Sequence, residues 1–245
     1  MRIAIISDIH SNLSALKNVL KDMEQIGYDT VVCLWDIVGY GLDPAECIEI
    51  IRKSNIECIM GNHDAAVCGD LDAELFNSYA KRAIEWTKKT LNLTDIAFLK
   101  NLKPRIAEEN RLYIHGALNE PFDYILNRNS LEKNINILQN DFSGINICFF
   151  GHTHNSFVSI NGTFEMNTTG RYSISHPEKD VVFINPGSVG QPRGGHSNGA
   201  AYCMFNTVTG EIHFRTVKYD IKETYSRILE KGLPKFLGLR LFNGV

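Results

Sequence analysis

Five apolar, strand-like segments of this chain are each followed directly by residues that can bind metal ions. These residues carry carboxylate, amide or imidazole groups, and they are Asp8, His10, Asp36, Asn62, His63, Asp64, His115, His152 and His154. In an open α/β sheet the carboxyl ends of the strands meet at one crevice, so we expect these residues to form one cluster. Imidazole and carboxylate groups together are ligands for Zn, Mn, Fe, Co or Ni. The pattern therefore predicts a transition-metal site.

The spacing of the candidate ligands indicates how many ions the site holds. The candidate ligands are Asp8, His10, Asp36, Asn62, His115, His152 and His154. Asp8 and His10 are two residues apart in an extended segment, as are His152 and His154, so each pair shares a face. Asp36 could bridge two ions, because an ionised carboxylate has two acceptor oxygens. The whole set is too large for one tetrahedral site but suits two ions with open positions for water and substrate.

Each of these residues also has a purely structural interpretation. A single His or Asp at the end of a strand is more often a hydrogen-bonded structural residue than a ligand. The D-x-H and H-x-H spacings are weak signals when taken alone. However, five of the eight histidines lie in the strand-end segments. This clustering of metal-binding residue types favours the metal site.

The elements that position these residues alternate between strand and helix at first and then become rich in strands. Strands are predicted at Ile3–Ser7, Val31–Trp35, Glu57–Met60, Arg105–Ala107, Leu112–Ile114, Asn146–Gly151, Phe157–Ile160, Val181–Ile184, Ala201–Phe205 and Glu211–Val217. Helices are predicted over Asn12–Gly27, Ala45–Lys53, Leu131–Gln139 and Ile221–Lys231 and after Pro234, and a mostly helical stretch is predicted from about Glu74 to Leu102. The order fits two β layers flanked by helices, in one domain over residues 1–245.

Composition narrows the class of protein. Hydrophobic residues make up 44% of the chain and charged residues 22%, which is ordinary for a soluble globular protein. The net charge of −3 argues against a nucleic-acid-binding surface, although bound cations would still permit a phosphate-bearing substrate. No apolar run approaches the roughly 18 residues that span a bilayer, and the N-terminus lacks the features of a signal peptide.

The cysteines point to a reducing compartment. None of the six cysteines forms a CxxC pair, and most lie in apolar strand or helix contexts. We therefore expect a cytoplasmic protein that acts on a small molecule, with no nucleic-acid or membrane partner. The sequence leaves the oligomeric state open.

Taken in order, these motifs resemble the calcineurin-like metallophosphoesterase superfamily. The motifs are SDIH at Asp8, WD at Asp36 followed by Gly39, GNHD at Asn62, the isolated His115 and GHTH at His152. The segment NPGSVGQPR and the terminal helix resemble a group of small, single-domain, prokaryotic-type phosphoesterases. The resemblance implies a four-layer αββα sandwich, in which two mixed β-sheets are flanked by helices.

The resemblance also implies a ligand set for each of two divalent ions. The first ion is expected on Asp8, His10, Asp36 and His154. The second is expected on Asp36, Asn62, His115 and His152. Water or hydroxide between the ions would be the nucleophile, because metal coordination lowers the pKa of water from about 15.7 toward 7. Mn, Fe, Zn, Ni and Co all suit these ligands, and we favour Mn.

His63 matches the catalytic part of the family pattern, and Asp64 follows it directly. By the resemblance, His63 is not a ligand but protonates the departing alkoxide or stabilises charge on it. Asp64 is expected to orient His63 and keep it cationic. A structural histidine in a turn is the alternative for His63.

Asn12 and Arg193 are candidates for binding the substrate. Asn12 could touch a substrate oxygen, although it is equally well placed as the N-cap of the following helix. Arg193 lies in a segment rich in Gly and Pro and could clamp a phosphate group. A tight loop between strands is the alternative for that segment.

The chain departs from the family pattern at Trp35, where a glycine normally precedes the bridging aspartate. A side chain there could crowd the pocket, restrict large substrates or turn into the hydrophobic core behind the strand. Burial in the core is the interpretation we favour, since a tryptophan at a strand end can bury a large area.

These observations lead to one main functional hypothesis and two alternatives. The main hypothesis is a dinuclear metal-dependent phosphoesterase that hydrolyses phosphomonoesters or phosphodiesters of small molecules. The first alternative is hydrolysis of the phosphoanhydride in dinucleoside polyphosphates. The second is a metal-binding interaction scaffold without catalysis. The presence of His63 and of every expected ligand argues against this alternative, whereas Trp35 weakly favours it.

Overall fold

A computed structural model describes residues 1–195 and 199–245 of the chain. The described strands are β1 (Arg2–Ile6), β2 (Thr30–Cys33), β3 (Glu57–Cys58), β4 (Ile106–Glu108), β5 (Arg111–Tyr113), β6 (Ile147–Phe149), β7 (Ser156–Ile160), β8 (Thr163–Met166), β9 (Gly170–Ser173), β10 (Val182–Pro186), β11 (Ala200–Asn206) and β12 (Glu211–Val217). The described helices are α1 (Leu13–Ile26), α2 (Pro44–Lys53), α3 (Asn62–Cys68), α4 (Ser78–Thr90), α5 (Leu93–Lys100), α6 (Arg128–Asp141), α7 (Ile221–Glu230) and α8 (Lys235–Asn243).

Within the described ranges the strands form two six-stranded mixed sheets. The first sheet has the order β3-β2-β1-β11-β12-β9, and the second has the order β4-β5-β6-β10-β7-β8. Strands β1, β2 and β3 run parallel to one another, and so do β5, β6 and β10. In each sheet the parallel strands therefore end at the same edge, where residues that follow them can meet.

Apolar side chains fill the space between the two sheets, and further apolar side chains cover the outer face of each sheet. The rings of Phe149 in β6 and Phe205 in β11 lie 5.5 Å apart, which places the two sheets face to face. Leu16 of α1 packs on the outer face of the first sheet, and Leu131 of α6 packs on the outer face of the second. The four-layer αββα sandwich is therefore confirmed. That it forms a single domain over residues 1–245 stays a prediction.

Helix α1 shows how the sequence defines an element beside the site. The side chain of Asn12 accepts a hydrogen bond from the backbone N–H of Ala15 and caps the helix. Leu16, Val19 and Met23 recur on one face and are buried against the first sheet. The helix ends at Gly27, whose φ of 79° is readily adopted only without a side chain. The chain after Asp8 and His10 is therefore anchored by both capping and packing.

The mostly helical stretch predicted from about Glu74 to Leu102 is confirmed, although it is divided into separate elements. The structure has a short 3₁₀ helix, Ala73–Leu75, followed by the separate helices α4 and α5. Asn77 and Asn92 each accept hydrogen bonds from two backbone N–H groups at the start of these helices. An asparagine that caps a new helix interrupts the preceding one, which the apolar periodicity alone does not reveal.

Two strands and one helix were missing from the prediction. Strands β8 and β9 carry mostly exposed residues, so they lack the apolar signal of a buried strand. Asn161 and Gly162, with φ of 51° and 81°, form the turn between β7 and β8, as expected for an Asn-Gly hairpin. Helix α3 begins at Asn62, inside the GNHD motif. In the described part of the chain, no helix has both the length and the apolar character needed to cross a membrane.

Candidate metal centre

The first sheet delivers three predicted ligands at the ends of two neighbouring parallel strands. Asp8 and His10 follow β1, and Asp36 follows β2. The backbone N–H of Asp8 donates to the carbonyl of Trp35 at 2.9 Å, and that of His10 donates to the carbonyl of Asp36 at 2.8 Å. These bonds hold the two strand-end loops side by side, so their side chains reach the same cavity.

The second sheet supplies the remaining histidines. His115 follows β5, and His152 and His154 follow the neighbouring strand β6. The backbone N–H of Gly151 donates to the carbonyl of His115 at 2.7 Å and joins these two loops. The structure therefore brings residues from both sheets to one place, although they are far apart in the sequence. All the predicted ligands except the half-buried Asn62 are at most 4% exposed.

The backbone is strained at most of the predicted ligands. Positive φ angles occur at Asp8 (52°), His10 (47°), Asp36 (45°), His152 (65°) and His154 (61°). Residues other than glycine pay about 1–3 kcal/mol for such conformations, and these conformations concentrate at functional sites. The rest of the fold must therefore hold these loops in place, which is consistent with a site built for function.

One group of side chains can hold a cation between Asp8, His10 and His154. Nε2 of His154 lies 3.4 Å from Oδ1 of Asp8 and 3.0 Å from Nε2 of His10. Nδ1 of His10 lies 3.2 Å from the carbonyl oxygen of Val38, and Nδ1 of His154 lies 2.7 Å from that of Gln191. Because a carbonyl oxygen only accepts, both Nδ1 atoms carry hydrogen, and the two Nε2 lone pairs face each other. A cation between them would resolve that arrangement.

A second group contains Asp36, His115 and His152. Oδ2 of Asp36 lies 3.8 Å from Nε2 of His115 and also 3.8 Å from Nε2 of His10. Oδ1 of Asn62 lies 3.0 Å from Nε2 of His115, so the amide oxygen adjoins the same group. Asp36 therefore stands between the two groups, with one oxygen directed to both.

The hydrogen-bond partners of the two carboxylates leave one oxygen of each without a partner. Oδ2 of Asp8 accepts from the Ser7 hydroxyl and the His152 backbone N–H, and Oδ1 of Asp36 accepts from the His63 backbone N–H. Within residues 1–195 and 199–245, Oδ1 of Asp8 and Oδ2 of Asp36 have no hydrogen-bond partner although both are buried. Buried acceptors are normally satisfied, so these two oxygens fit a pair of metal ions.

The electrostatics of the cavity also support a site for metal ions. Burial raises the pKa of Asp8 to about 7 and raises the pKa of Asp36 well above its usual value, where the neighbouring carboxylates add to the effect. Burial also lowers the pKa of His10, His115 and His154, which keeps these imidazoles neutral. Neutral imidazoles offer lone pairs, and crowded carboxylates require nearby positive charge. The residues therefore fit divalent cations.

An open cavity of about 400 Å³ lies over the ligands. Its walls contain apolar and aromatic residues, and they include Tyr40, Leu71, Leu75, Phe76, Phe122 and Tyr124. Arg193 and His63 also line the cavity. A cavity of this size accommodates a small molecule beside the metal-binding groups.

Comparison with protein families identifies the chain. Residues 1–210 match the model of the calcineurin-like phosphoesterase superfamily domain. The chain belongs to this superfamily. Its members are phosphoesterases, so the match supports a hydrolase whose site binds divalent metals.

Relatives of the chain cover its full length. An uncharacterised protein from Methanocaldococcus jannaschii is 39% identical over 249 aligned residues, which cover 99% of this chain and 98% of the relative. The crystal structure of a metallophosphoesterase from Sphaerobacter thermophilus is 34% identical, covers 100% of both chains and has a TM-score of 0.87. A hypothetical protein from Pyrococcus horikoshii shares the fold at 18% identity, with a TM-score of 0.77 and coverage of 100% of this chain and 98% of that one.

The contact that we expected between Asp64 and the His63 ring is absent from the described residues. Both oxygens of Asp64 accept hydrogen bonds from backbone N–H groups, those of Ile37, Val38 and Gly61, at 3.1 to 3.3 Å. Among the described residues Asp64 makes no hydrogen bond to the His63 ring, and Nδ1 of His63 has no partner. Asp64 therefore holds the loop that carries Asp36, rather than orienting His63.

His63 itself lies where the sequence placed it, beside the predicted ligands. Its ring nitrogen forms a third metal-type group with His10 and Asp36, in which the atoms lie within 4.8 Å of one another. Burial lowers the pKa of His63 to about 3, so the ring is neutral without metal, contrary to the expected cationic form. The geometry permits His63 to contact either a cation or a substrate in the cavity.

The two candidate substrate-binding residues have different positions. The side chain of Asn12 caps α1, and its amide donates to the carbonyl of Gly190 at 2.9 Å and to the hydroxyl of Tyr219 at 3.2 Å. Asn12 therefore acts as the N-cap, which is the alternative interpretation. Arg193 is half-buried and lines the cavity, and its role in binding a substrate stays a prediction.

Trp35 occupies the glycine position of the superfamily with a backbone that suits glycine. Its φ is 108°, a conformation that L-residues rarely adopt. The indole is 2% exposed and packs in the core between the sheets, as we expected. It also stacks on the ring of His115 at 4.8 Å, with 30° between the planes. Trp35 thus supports a predicted ligand from behind instead of filling the cavity.

The aromatic walls of the cavity were not predicted from the sequence. Tyr40 could have been found, because it stands between Gly39 and Gly41 in the segment that follows Asp36. Phe122 and Tyr124 lie in the connection between β5 and α6, where no periodic pattern distinguishes them. Tyr124 stacks on His152 with centroids 4.0 Å apart, so it covers a predicted ligand from the open side.

Proposed function

We propose that the protein is a dinuclear metal-dependent phosphoesterase that hydrolyses phosphate esters of small molecules. The observation that supports this most strongly is the unpartnered Oδ2 of Asp36, 3.8 Å from ligand atoms of both groups. One cation would be held by Asp8, His10, Asp36 and His154. The other would be held by Asp36, Asn62, His115 and His152. We favour Mn²⁺, since a mixed set of imidazole, carboxylate and amide ligands accommodates it.

The chemistry follows from the combination of cations and cavity. Bound in this site, two cations would lower the pKa of a coordinated water from about 15.7 toward 7 and neutralise charge on the phosphoryl oxygens. Arg193 lines the cavity and would bind a phosphoryl oxygen with its guanidinium group. His63 would donate a hydrogen bond to the leaving oxygen, since its ring faces the cavity beside Asp36.

The surroundings of the site support a small substrate. The cavity of about 400 Å³ has aromatic walls and one arginine, which suits a small ester better than an extended polyanion. We propose that the protein acts in the cytoplasm, where the six free cysteines would stay reduced.

The experiment measures metal content and hydrolysis on the same preparation. The purified protein is loaded with Mn²⁺, its metal content is determined by mass spectrometry, and p-nitrophenyl phosphate and bis(p-nitrophenyl) phosphate are supplied as substrates. We expect two metal equivalents and hydrolysis of at least one ester. His63→Ala is expected to keep its metal and lose roughly 10²-fold in kcat. The exposed His176 is the matched control, and His176→Ala should behave as wild type.

A negative result has a definite meaning in this design. If the protein binds two metal equivalents but hydrolyses neither esters nor dinucleoside polyphosphates with any divalent ion, it is a metal-binding scaffold and the proposal is wrong. If hydrolysis is observed, comparing monoesters, diesters and dinucleoside polyphosphates under the same conditions identifies the preferred bond.

A further inference from the structure

The ring of His63 is held by packing rather than by a hydrogen bond to a carboxylate. Its centroid lies 4.4 Å from that of Tyr40, 5.0 Å from that of Phe76 and 4.9 Å from that of His10. Gly39 closes a further side, because a Cβ added there would lie 2.4 Å from Nδ1 of His63. The orientation of this ring therefore depends on neighbouring rings and on one residue without a side chain.

Tyr40, like its neighbour His10, has a left-handed backbone conformation. Its φ is 51°, between Gly39 at 93° and a tight contact at Gly41, where an added Cβ would lie 2.3 Å from the carbonyl oxygen of His10. A tyrosine held in the left-handed region carries strain, and such strain collects at functional sites. The Tyr40 ring lies against that of His63, and only 6% of the residue is exposed.

The support behind Tyr40 comes from the C-terminal helices. Tyr40 belongs to a hydrophobic cluster with Ile228 of α7 and Leu237 of α8. The guanidinium carbon of Arg240 in α8 lies 5.6 Å from the Tyr40 ring centroid, a cation–π contact. An ion pair between Arg227 of α7 and Asp43 fastens α7 to the same loop.

The helices that support Tyr40 lie outside the part of the chain that matches the superfamily model. That match ends at residue 210, whereas α7 and α8 lie at Ile221–Glu230 and Lys235–Asn243. The catalytic loop of this protein is therefore completed by a segment that the general family pattern does not describe.

We infer that Tyr40, held by α7 and α8, is a positioning residue that sets the ring of His63 for contact with the leaving group. This inference rests on the proposed function of His63. Tyr40 also contacts His10, with centroids 4.7 Å apart, so its replacement could act through a metal ligand instead. The experiment must separate these two routes.

Esters whose leaving groups differ in acidity distinguish an effect of Tyr40 through His63 from an effect through His10. The variants are Tyr40→Ala, Tyr40→Phe, His63→Ala and the double variant, assayed with p-nitrophenyl, phenyl and ethyl esters of the class that wild type hydrolyses. If Tyr40 acts through His63, Tyr40→Ala loses roughly tenfold more rate on the ethyl ester than on the p-nitrophenyl ester. An effect through His10 would instead lower metal content and slow all three esters equally.

Two further readouts complete the design. Tyr40→Phe keeps the ring and is expected to restore the wild-type dependence on the leaving group. The double variant is expected to be no slower than His63→Ala, because residues that act as a unit are not additive. Tyr28→Ala, which removes a partly buried tyrosine at the opposite end of the first sheet, controls for general destabilisation.

Each possible result supports or overturns the inference. An equal loss on all esters, or additive losses in the double variant, overturns it while leaving the proposed function intact. If His63→Ala itself shows no dependence on the leaving group, the role of His63 in the proposed function is wrong. A crystal structure of Tyr40→Ala in which the His63 ring has not moved would overturn the inference without any assay of activity.

Discussion

Replacing Trp35 by glycine or by alanine tests the backbone strain that the structure places beside the Asp36 carboxylate. At an ordinary buried position a glycine variant is less stable than an alanine variant by about 0.5–1 kcal/mol, because glycine loses more backbone entropy. At Trp35 the φ of 108° reverses this expectation, since alanine retains the strain and glycine relieves it.

The magnitude follows from two opposing contributions. Both variants lose the buried indole, which costs about 3–5 kcal/mol of the free energy of unfolding. Relief of the strained φ returns about 1–3 kcal/mol to the glycine variant alone. Subtracting the entropy penalty of glycine, we expect Trp35→Gly to be more stable than Trp35→Ala by about 1 kcal/mol.

The assay is urea denaturation of the metal-free proteins, so that metal binding does not contribute to stability. Both variants should unfold at lower urea concentrations than wild type, and the midpoint of Trp35→Gly should lie at a higher concentration than that of Trp35→Ala. If Trp35→Ala is the more stable variant, the backbone at position 35 is not strained and the reasoning is wrong.

The same variants report on the stacking of Trp35 against His115. An aromatic pair contributes about 0.5–1.5 kcal/mol beyond its buried area, so Mn²⁺ should bind about 2- to 12-fold more weakly to Trp35→Gly. Trp86→Ala removes the other tryptophan and is expected to leave Mn²⁺ affinity unchanged. Equal affinity and equal turnover in Trp35→Gly and wild type would show that the indole serves only to fill the core.

Two further predictions concern residues around the site, and a third concerns an ion pair away from it. Asp64→Asn is expected to weaken metal binding and to slow the hydrolysis of all esters equally, because Asp64 accepts hydrogen bonds from the backbone of the loops that carry the candidate ligands. A loss of rate that grows with the pKa of the leaving alcohol would instead support the expected role of Asp64 in orienting His63. Gly61→Ala places a Cβ 2.0 Å from Oδ1 of Asp36 and should abolish tight Mn²⁺ binding by calorimetry while the circular dichroism stays native. Asp22→Asn should lower the free energy of unfolding at neutral pH, because hydrogen bonds from Arg215 hold the pKa of Asp22 below its usual 3.8. The difference in free energy of unfolding between Asp22→Asn and wild type should disappear as the pH falls well below 3.8. A difference that persists in acid would mean that the ion pair is not its source.

The fold and the clustering of the candidate ligands were predictable because the chain marks them locally. A short buried run such as Ile3–Ile6, followed at once by Asp8 and His10, identifies a parallel strand and the residues at its carboxyl end. The same reasoning located Asp36, His115 and the two histidines after β6, and the structure brings all of them together. Strands β8 and β9 escaped because their exposed faces are polar and carry no such mark.

The roles of individual residues around the ligands were less predictable, because they depend on contacts between distant segments. The sequence places Asp64 next to His63, but helix α3 directs its carboxylate to the backbone of the loop after β2. Likewise, Trp35 stacks on His115 only because β2 and β5 belong to two sheets that face each other. Sequence spacing indicates which residue types meet, whereas hydrogen-bond partners follow from the packing of whole elements.

The most direct test of the two-metal site is anomalous diffraction at the manganese edge from crystals of the protein grown with Mn²⁺. Two peaks are expected, one among Asp8, His10 and His154 and the other among Asn62, His115 and His152. Both should lie within coordination distance of Oδ2 of Asp36. A single peak, or two peaks that do not share Asp36, would contradict the account.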